Sequence, residues 1–221
     1  SSNTGVKVVA PSSDFQTPPL AAPTHTMSLP SGIVTASSDA DPGTRYLFDR
    51  RTKKLSLEYV VRERLPREHM AEMGAVRYPS SDALEVPAFL TLPKGVPAKG
   101  LPVIVVPHGG PWARDSWGFN SLAQFLANRG YAVLQMNFRG STGYGREFWL
   151  AGRKQWGLAM QDDITDGVRW LIAEGIADPR RICIYGASYG GYATLMGLVK
   201  EPDLYACGID YVGVSNLFTF M

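Results

Sequence analysis

Arg181-Ile-Cys-Ile-Tyr-Gly-Ala-Ser-Tyr-Gly-Gly-Tyr192 is the stretch that decides the fold. An apolar strand-like run leads into a Gly-x-Ser-x-Gly sequence centred on Ser188, and a helix-forming run from Tyr192 to Leu198 follows. A serine hydroxyl is a poor nucleophile; to react it must stand on an exposed tip within reach of a base and a carbonyl carbon. A sharp strand-to-helix turn presents it so, and Gly186 and Gly190 are small because strand and helix close on each other there. In a chain with 23 glycines the pattern alone is weak, and the plain alternative is a glycine turn with an incidental serine. The strand before it and the helix after it supply the context that this chemistry requires.

Upstream, Leu101 to Val106 is an aliphatic run of the kind that fills the middle of a parallel sheet. It runs into Pro107-His108-Gly109-Gly110-Pro111-Trp112, whose glycines can turn backbone N–H groups into a cleft. The N–H groups of Gly110 and Tyr189 are the expected pair of donors to the oxyanion formed in acyl transfer. An ordinary Gly-Gly-Pro turn is the alternative. His108 precedes the serine, whereas in strand-turn-helix hydrolases the order is Ser, then an acid, then His; it is read as structural. A third segment, Asn137 to Gly145, spaces its glycines G-x-x-G-x-G. That is not the dinucleotide fingerprint, and no acidic residue follows at the required place, so a nucleotide site is rejected. The segment lies beyond a strand's carboxyl end, where Tyr144 is expected to line the substrate pocket.

Between these segments strands alternate with helices. Phe119–Asn128 has Leu122, Phe125 and Leu126 at helical spacing and stops at Arg129-Gly130, and Tyr131–Asn137 is a strand. Asp162–Ala173 sets Ile164, Val168, Leu171 and Ile172 on one face, with Asp163 and Asp166 opposite. Ala206–Val212 is a last strand. The fold class is α/β, a mostly parallel sheet with helices on both faces over residues 66–221. Residues 1–31 are rich in Ser, Thr and Pro and read as irregular. Within 32–65, Ile33–Thr35, Arg45–Asp49 and Leu55–Val60 read as antiparallel strands joined by tight turns, one sheet of a propeller blade or a simple meander.

Composition bounds the function. At 221 residues the chain suffices for one full domain and part of a second. A formal charge of +2, spread along the sequence, argues against nucleic acid as a partner. Apolar runs such as Leu101–Val106 fall far short of the roughly 20 residues of a membrane helix, so no membrane partner is expected. A soluble chain of the cytoplasm or periplasm, and an oligomer, are both compatible with this composition. Cys183 and Cys207 sit in apolar strand-like segments and are expected as buried thiols. No metal-ligand spacing occurs, and no cofactor is expected.

His108–Trp112, Asn137–Gly145, Gln155–Gly157, Gln161–Asp163 and Gly186–Tyr192, in this order, resemble the prolyl oligopeptidase family of serine peptidases. The resemblance is nearest to its acylaminoacyl-peptidase-like and dipeptidyl-peptidase-like branch and spans Gly32 to Val214. It implies a catalytic α/β-hydrolase domain joined to a β-propeller that admits short peptides by size. By the same resemblance Ser188 is the nucleophile, Gly110 and Tyr189 form the oxyanion hole, and residues 32–60 are the propeller's closing blade. The sequence departs from the family at its end. His25, His69 and His108 all precede Ser188, and Asp203 and Asp210 come too early to be the family's acid. The hydrolase fold is therefore expected to be incomplete at the C-terminus, with the triad completed by a missing C-terminal segment or a partner chain. Alone, the chain is expected to be inactive. An esterase with the same elbow, and a non-catalytic peptide- or partner-binding fragment, are the alternatives.

Overall fold

The computed structural model describes residues 31–220; the irregular reading of 1–31 lies, except for Ser31, outside them. A small antiparallel sheet comes first, β1 (Ser31–Ala36), β2 (Thr44–Asp49) and β3 (Lys54–Val60), in that spatial order. Its turns are made by aspartates: Asp41 Oδ1 accepts the Gly43 N–H at 2.9 Å, and Asp49 Oδ1 accepts those of Arg51 and Thr52 at 2.8 and 2.9 Å. Such side-chain-to-backbone bonds close a turn without help from the rest of the fold.

The main sheet has six strands in the order β4-β5-β7-β6-β8-β9. They are β4 (Met73–Pro79), β5 (Glu85–Thr91), β6 (Leu101–Val105), β7 (Ala132–Met136), β8 (Ala177–Ala187) and β9 (Cys207–Tyr211). The β4, β5 and β7 pairings are antiparallel, whereas β7, β6, β8 and β9 pair in parallel. The chain steps from β6 to β7 on one side, then across to β8 on the other. The carboxyl ends of β6 and β8 thus flank a topological switch point, where α/β sheets bind ligands. Helices α1 (Ser121–Ala127), α2 (Arg146–Ala151), α3 (Ala159–Ala173), α4 (Tyr189–Lys200) and the one-turn α5 (Leu217–Phe220) accompany it.

The core lies between the sheet and α3, where Leu134, Met136, Ile164, Val168, Leu171, Ile182 and Ile184 are fully buried. Gly167 lets α3 approach: a Cβ there would stand 2.7 Å from the Tyr78 ring and 3.1 Å from Leu134. The Tyr78 hydroxyl donates to the Asp163 carbonyl at 2.9 Å, so the ring is buried with its polar end satisfied. The two sheets are tied by polar bonds. Asp39 Oδ2 accepts the Met73 N–H at 2.7 Å, and buried Gln124 donates to the carbonyls of Asp39 and Ala71 at 3.0 and 2.7 Å.

The structure corrects three local expectations and adds one element. In α1 the buried residues are Ala123, Gln124 and Ala127, while Phe125 is 52% exposed with the Arg129 guanidinium 3.7 Å from its ring centre. Hydrogen bonds from Gln124, not the apolar spacing, choose the inward face of this short helix. In α3, Asp163 and Asp166 are buried, because an arginine and the β4–β5 turn meet them. Arg146–Ala151, to which the sequence reading assigns no element, forms α2. Cys183 and Cys207 are not thiols but a disulfide: parallel pairing sets them opposite each other, with Cα atoms 4.7 Å apart, inside the bridging range.

Candidate nucleophile site

Ser188 stands exposed between β8 and α4 with φ 57° and ψ −119°. This left-handed backbone costs a non-glycine residue about 1–3 kcal/mol and persists only where neighbours enforce it. They do so here. Its N–H donates to the Tyr211 carbonyl of β9 at 3.0 Å, and its carbonyl accepts the Tyr192 N–H of α4 at 3.1 Å. A Cβ on Gly186 would overlap the Gly190 carbonyl, and one on Gly190 would overlap the Pro107 carbonyl. Both glycines of the motif are therefore required by close backbone approach.

The strap after β6 faces this bend. A Cβ on Gly109 would stand 3.1 Å from the Ala187 carbonyl oxygen and 3.5 Å from Ser188 Cβ, so the strap's backbone lies against the serine. Gly110 follows at φ 124°, joined to Pro111 by a cis peptide. Tyr189 opens α4, where the first backbone N–H groups have no partner within the helix. The Tyr189 ring is buried against Trp156 and Phe138, with centroids 4.8 and 5.4 Å away.

His108 holds the strap rather than the serine. Its Nδ1–H donates to the Gly109 carbonyl at 2.7 Å, its Nε2 lies 2.8 Å from Ser141 Oγ, and its ring stacks on Phe138 at 4.3 Å. Burial pushes its pKa below the ordinary value, a shift the Gly109 bond partly opposes. Ser141 Oγ in turn donates its hydroxyl to the Phe138 carbonyl at 2.6 Å, so the strap and the loop after β7 share one set of short bonds.

Beyond β7, Asn137 is fully buried and knits three segments. Its Nδ2 donates to Tyr144 Oη at 2.7 Å and to the Asp115 carbonyl at 3.1 Å, and its Oδ1 accepts the Asp115 N–H at 2.8 Å. Tyr144 is half-buried beside Phe148, its hydroxyl committed to Asn137. Arg139 makes five charge-assisted contacts, to Asp163 and Asp82, and its role was not foreseen from the sequence. The Gln161–Asp163 motif carried the signal: a carboxylate pair at the start of a buried helix needs a cation. Asp210, on β9 opposite Gly186, points its Oδ1 at the space beside Gly191 and Gly213.

A bent serine between a central parallel strand and its helix, faced by a glycine strap from the neighbouring strand, defines an α/β-hydrolase fold with a nucleophile elbow. Comparison with known proteins narrows this. Residues 117–221 match the model of the prolyl oligopeptidase family, and this part of the chain belongs to that family. Dipeptidyl aminopeptidase BIII of Pseudoxanthomonas mexicana is 41% identical over 205 residues, which cover 90% of this chain and 30% of the relative. A puromycin-hydrolyzing peptidase of Mycobacterium tuberculosis superposes with a TM-score of 0.75 at 28% identity, over 86% of this chain and 30% of that one. An acylaminoacyl peptidase in complex with a chloromethyl ketone superposes at 0.72 with 31% identity, over 86% and 30%. The chain thus spans about 30% of the length of each of these relatives.

Proposed function

We propose that the protein bearing this chain is a serine peptidase that hydrolyses short peptides through an acyl-enzyme on Ser188. The observation that carries this is the exposed Ser188 at φ 57° with the Gly109 backbone pressed against it. In the first step Ser188 Oγ attacks the peptide carbonyl carbon and loses its proton to a histidine. The oxyanion forms beside the N–H groups of Gly110 and Tyr189. The histidine then passes the proton to the departing amine as the C–N bond breaks, and water hydrolyses the ester by the same route. Tyr144 lines the pocket beyond β7.

The histidine comes from outside residues 1–221, on a further segment or a partner chain. Supporting this, both ring nitrogens of His108 are engaged by the strap and its neighbour loop. The 221 residues by themselves are then inactive, because an unassisted hydroxyl does not acylate at a useful rate. Residues 32–60 are read as the closing blade of a β-propeller that limits peptide size; exposed Val34, Leu55, Leu57 and Tyr59 suit a face packed by further strands.

A fluorophosphonate probe tests the nucleophile directly. The peptidase is expected to be labelled and its Ser188→Ala variant spared, and equal labelling of both overturns the assignment. Peptide anilides and short-chain esters then separate the chemistries: turnover confined to esters refutes a peptidase.

A further inference from the structure

We propose that Arg139 and Asp163 are positioning residues that set the oxyanion strap, acting through Phe138, Ser141 and His108; this rests on the reading of Ser188 as nucleophile and Gly110 as donor. Asp163 lies on α3, with its carboxylate wholly buried, and Arg139 is 8% exposed. Three donors of Arg139 reach that carboxylate. The backbone N–H and Nε donate to Oδ2, both at 2.8 Å, and Nη2 donates to Oδ1 at 2.7 Å. Asp82, from the β4–β5 turn, closes the outer side, accepting Nη1 at 2.7 Å and Nη2 at 2.9 Å.

The backbone bond separates this pair from an ordinary anchor. It fixes the main chain between Phe138, whose ring stacks on His108, and Ser141, whose hydroxyl meets His108 Nε2. His108 in turn holds the Gly109 carbonyl, which belongs to the same planar peptide unit as the proposed Gly110 N–H donor. A continuous set of short contacts therefore runs from a carboxylate on α3 to the strap. Burying an ion pair brings little net stability, because desolvation offsets the attraction. What a bidentate fork does supply is fixed direction, since both partners are planar and their bonds parallel. The strap's glycines, free to turn by themselves, need that direction from a neighbour.

The test compares Asp163→Asn, Arg139→Lys and the milder Ser141→Ala in the intact peptidase, using a neutral peptide anilide and a peptide aldehyde. The aldehyde's hemiacetal oxygen occupies the oxyanion position, so its affinity reports the strap apart from substrate binding. Each variant is expected to lose about tenfold to a hundredfold in kcat with KM changed less than about twofold, as for a misplaced stabilising group. Aldehyde affinity should fall in parallel. Asp163→Asn combined with Ser141→Ala should be no worse than Asp163→Asn alone, since both cut one chain of contacts. A lowered melting temperature with kcat and aldehyde affinity intact overturns the proposal, as do losses that multiply in the double variant. Should Asp163→Asn fail to fold, Ser141→Ala and Arg139→Lys decide by the same criteria. If the unmodified protein shows no turnover that Ser188→Ala removes, the nucleophile reading itself fails and takes the inference with it.

Discussion

Asp115 sits in the loop after the strap with one carboxylate oxygen, Oδ2, buried and without a hydrogen-bond partner. Burial raises its pKa to about 6, opposed in part by Gln135 Nε2, which donates to Oδ1 at 3.1 Å. The folded protein therefore holds this proton more tightly than the unfolded chain does. Stability from this group is present at low pH, declines as pH rises from the ordinary carboxylate range to about 6, and is flat above. Asp115→Asn keeps the Gln135 bond and removes the buried charge. It should raise the unfolding free energy by about 1–3 kcal/mol at pH 8 and leave it nearly unchanged at pH 4, as read from urea melts. Nothing in the sequence marks Asp115, because its burial arises from loops that meet only in the folded molecule. Ser188 was legible for the opposite reason, since its constraint is local: two glycines, a strand and a helix, all within the eighteen residues 181–198.

At the scale of elements, periodicity located strands and helices and was less sure of their faces. Spacing put Phe125 inward in α1, and the structure puts Gln124 there, satisfied by Ala71 and Asp39. Period reading takes apolar residues as inward and polar ones as outward, so a polar residue that ties two sheets is invisible to it. The same rule turned Asp163 and Asp166 toward water, although buried bonds to Arg139 and Ser80 hold them inside. The apolar stripe of α3 was legible, being long enough for its pattern to dominate. Ile164→Ala should cost about 2–5 kcal/mol by opening a cavity in the core, whereas Phe125→Ala should cost less than about 1 kcal/mol, from a half-exposed ring. Chemical denaturation of both variants side by side checks this.

For the whole molecule, the alternation of strands and helices gave the fold class, and the ordered motifs gave the family. The pairing of Cys183 with Cys207 was not accessible in that way. Their separation of 24 residues says nothing of register, and only the parallel alignment of β8 with β9 brings them together. A bridge of that span removes unfolded-chain entropy worth about 3.5 kcal/mol on the loop-closure estimate. Dithiothreitol should lower the thermal midpoint of the folded protein, and Cys207→Ser should lower it equally and abolish the response. An unchanged midpoint after verified thiol release would show that the bridge contributes nothing.

Among the described residues β9 is the last strand of the sheet, and its far side meets no other strand. The amide of Ser188 hangs from that strand by the carbonyl of Tyr211. The bend and the rim of the sheet consequently move as one piece. With Ser188 as the proposed nucleophile, whatever grips or frees that rim should tune how steadily its oxygen is aimed, remotely and without touching it.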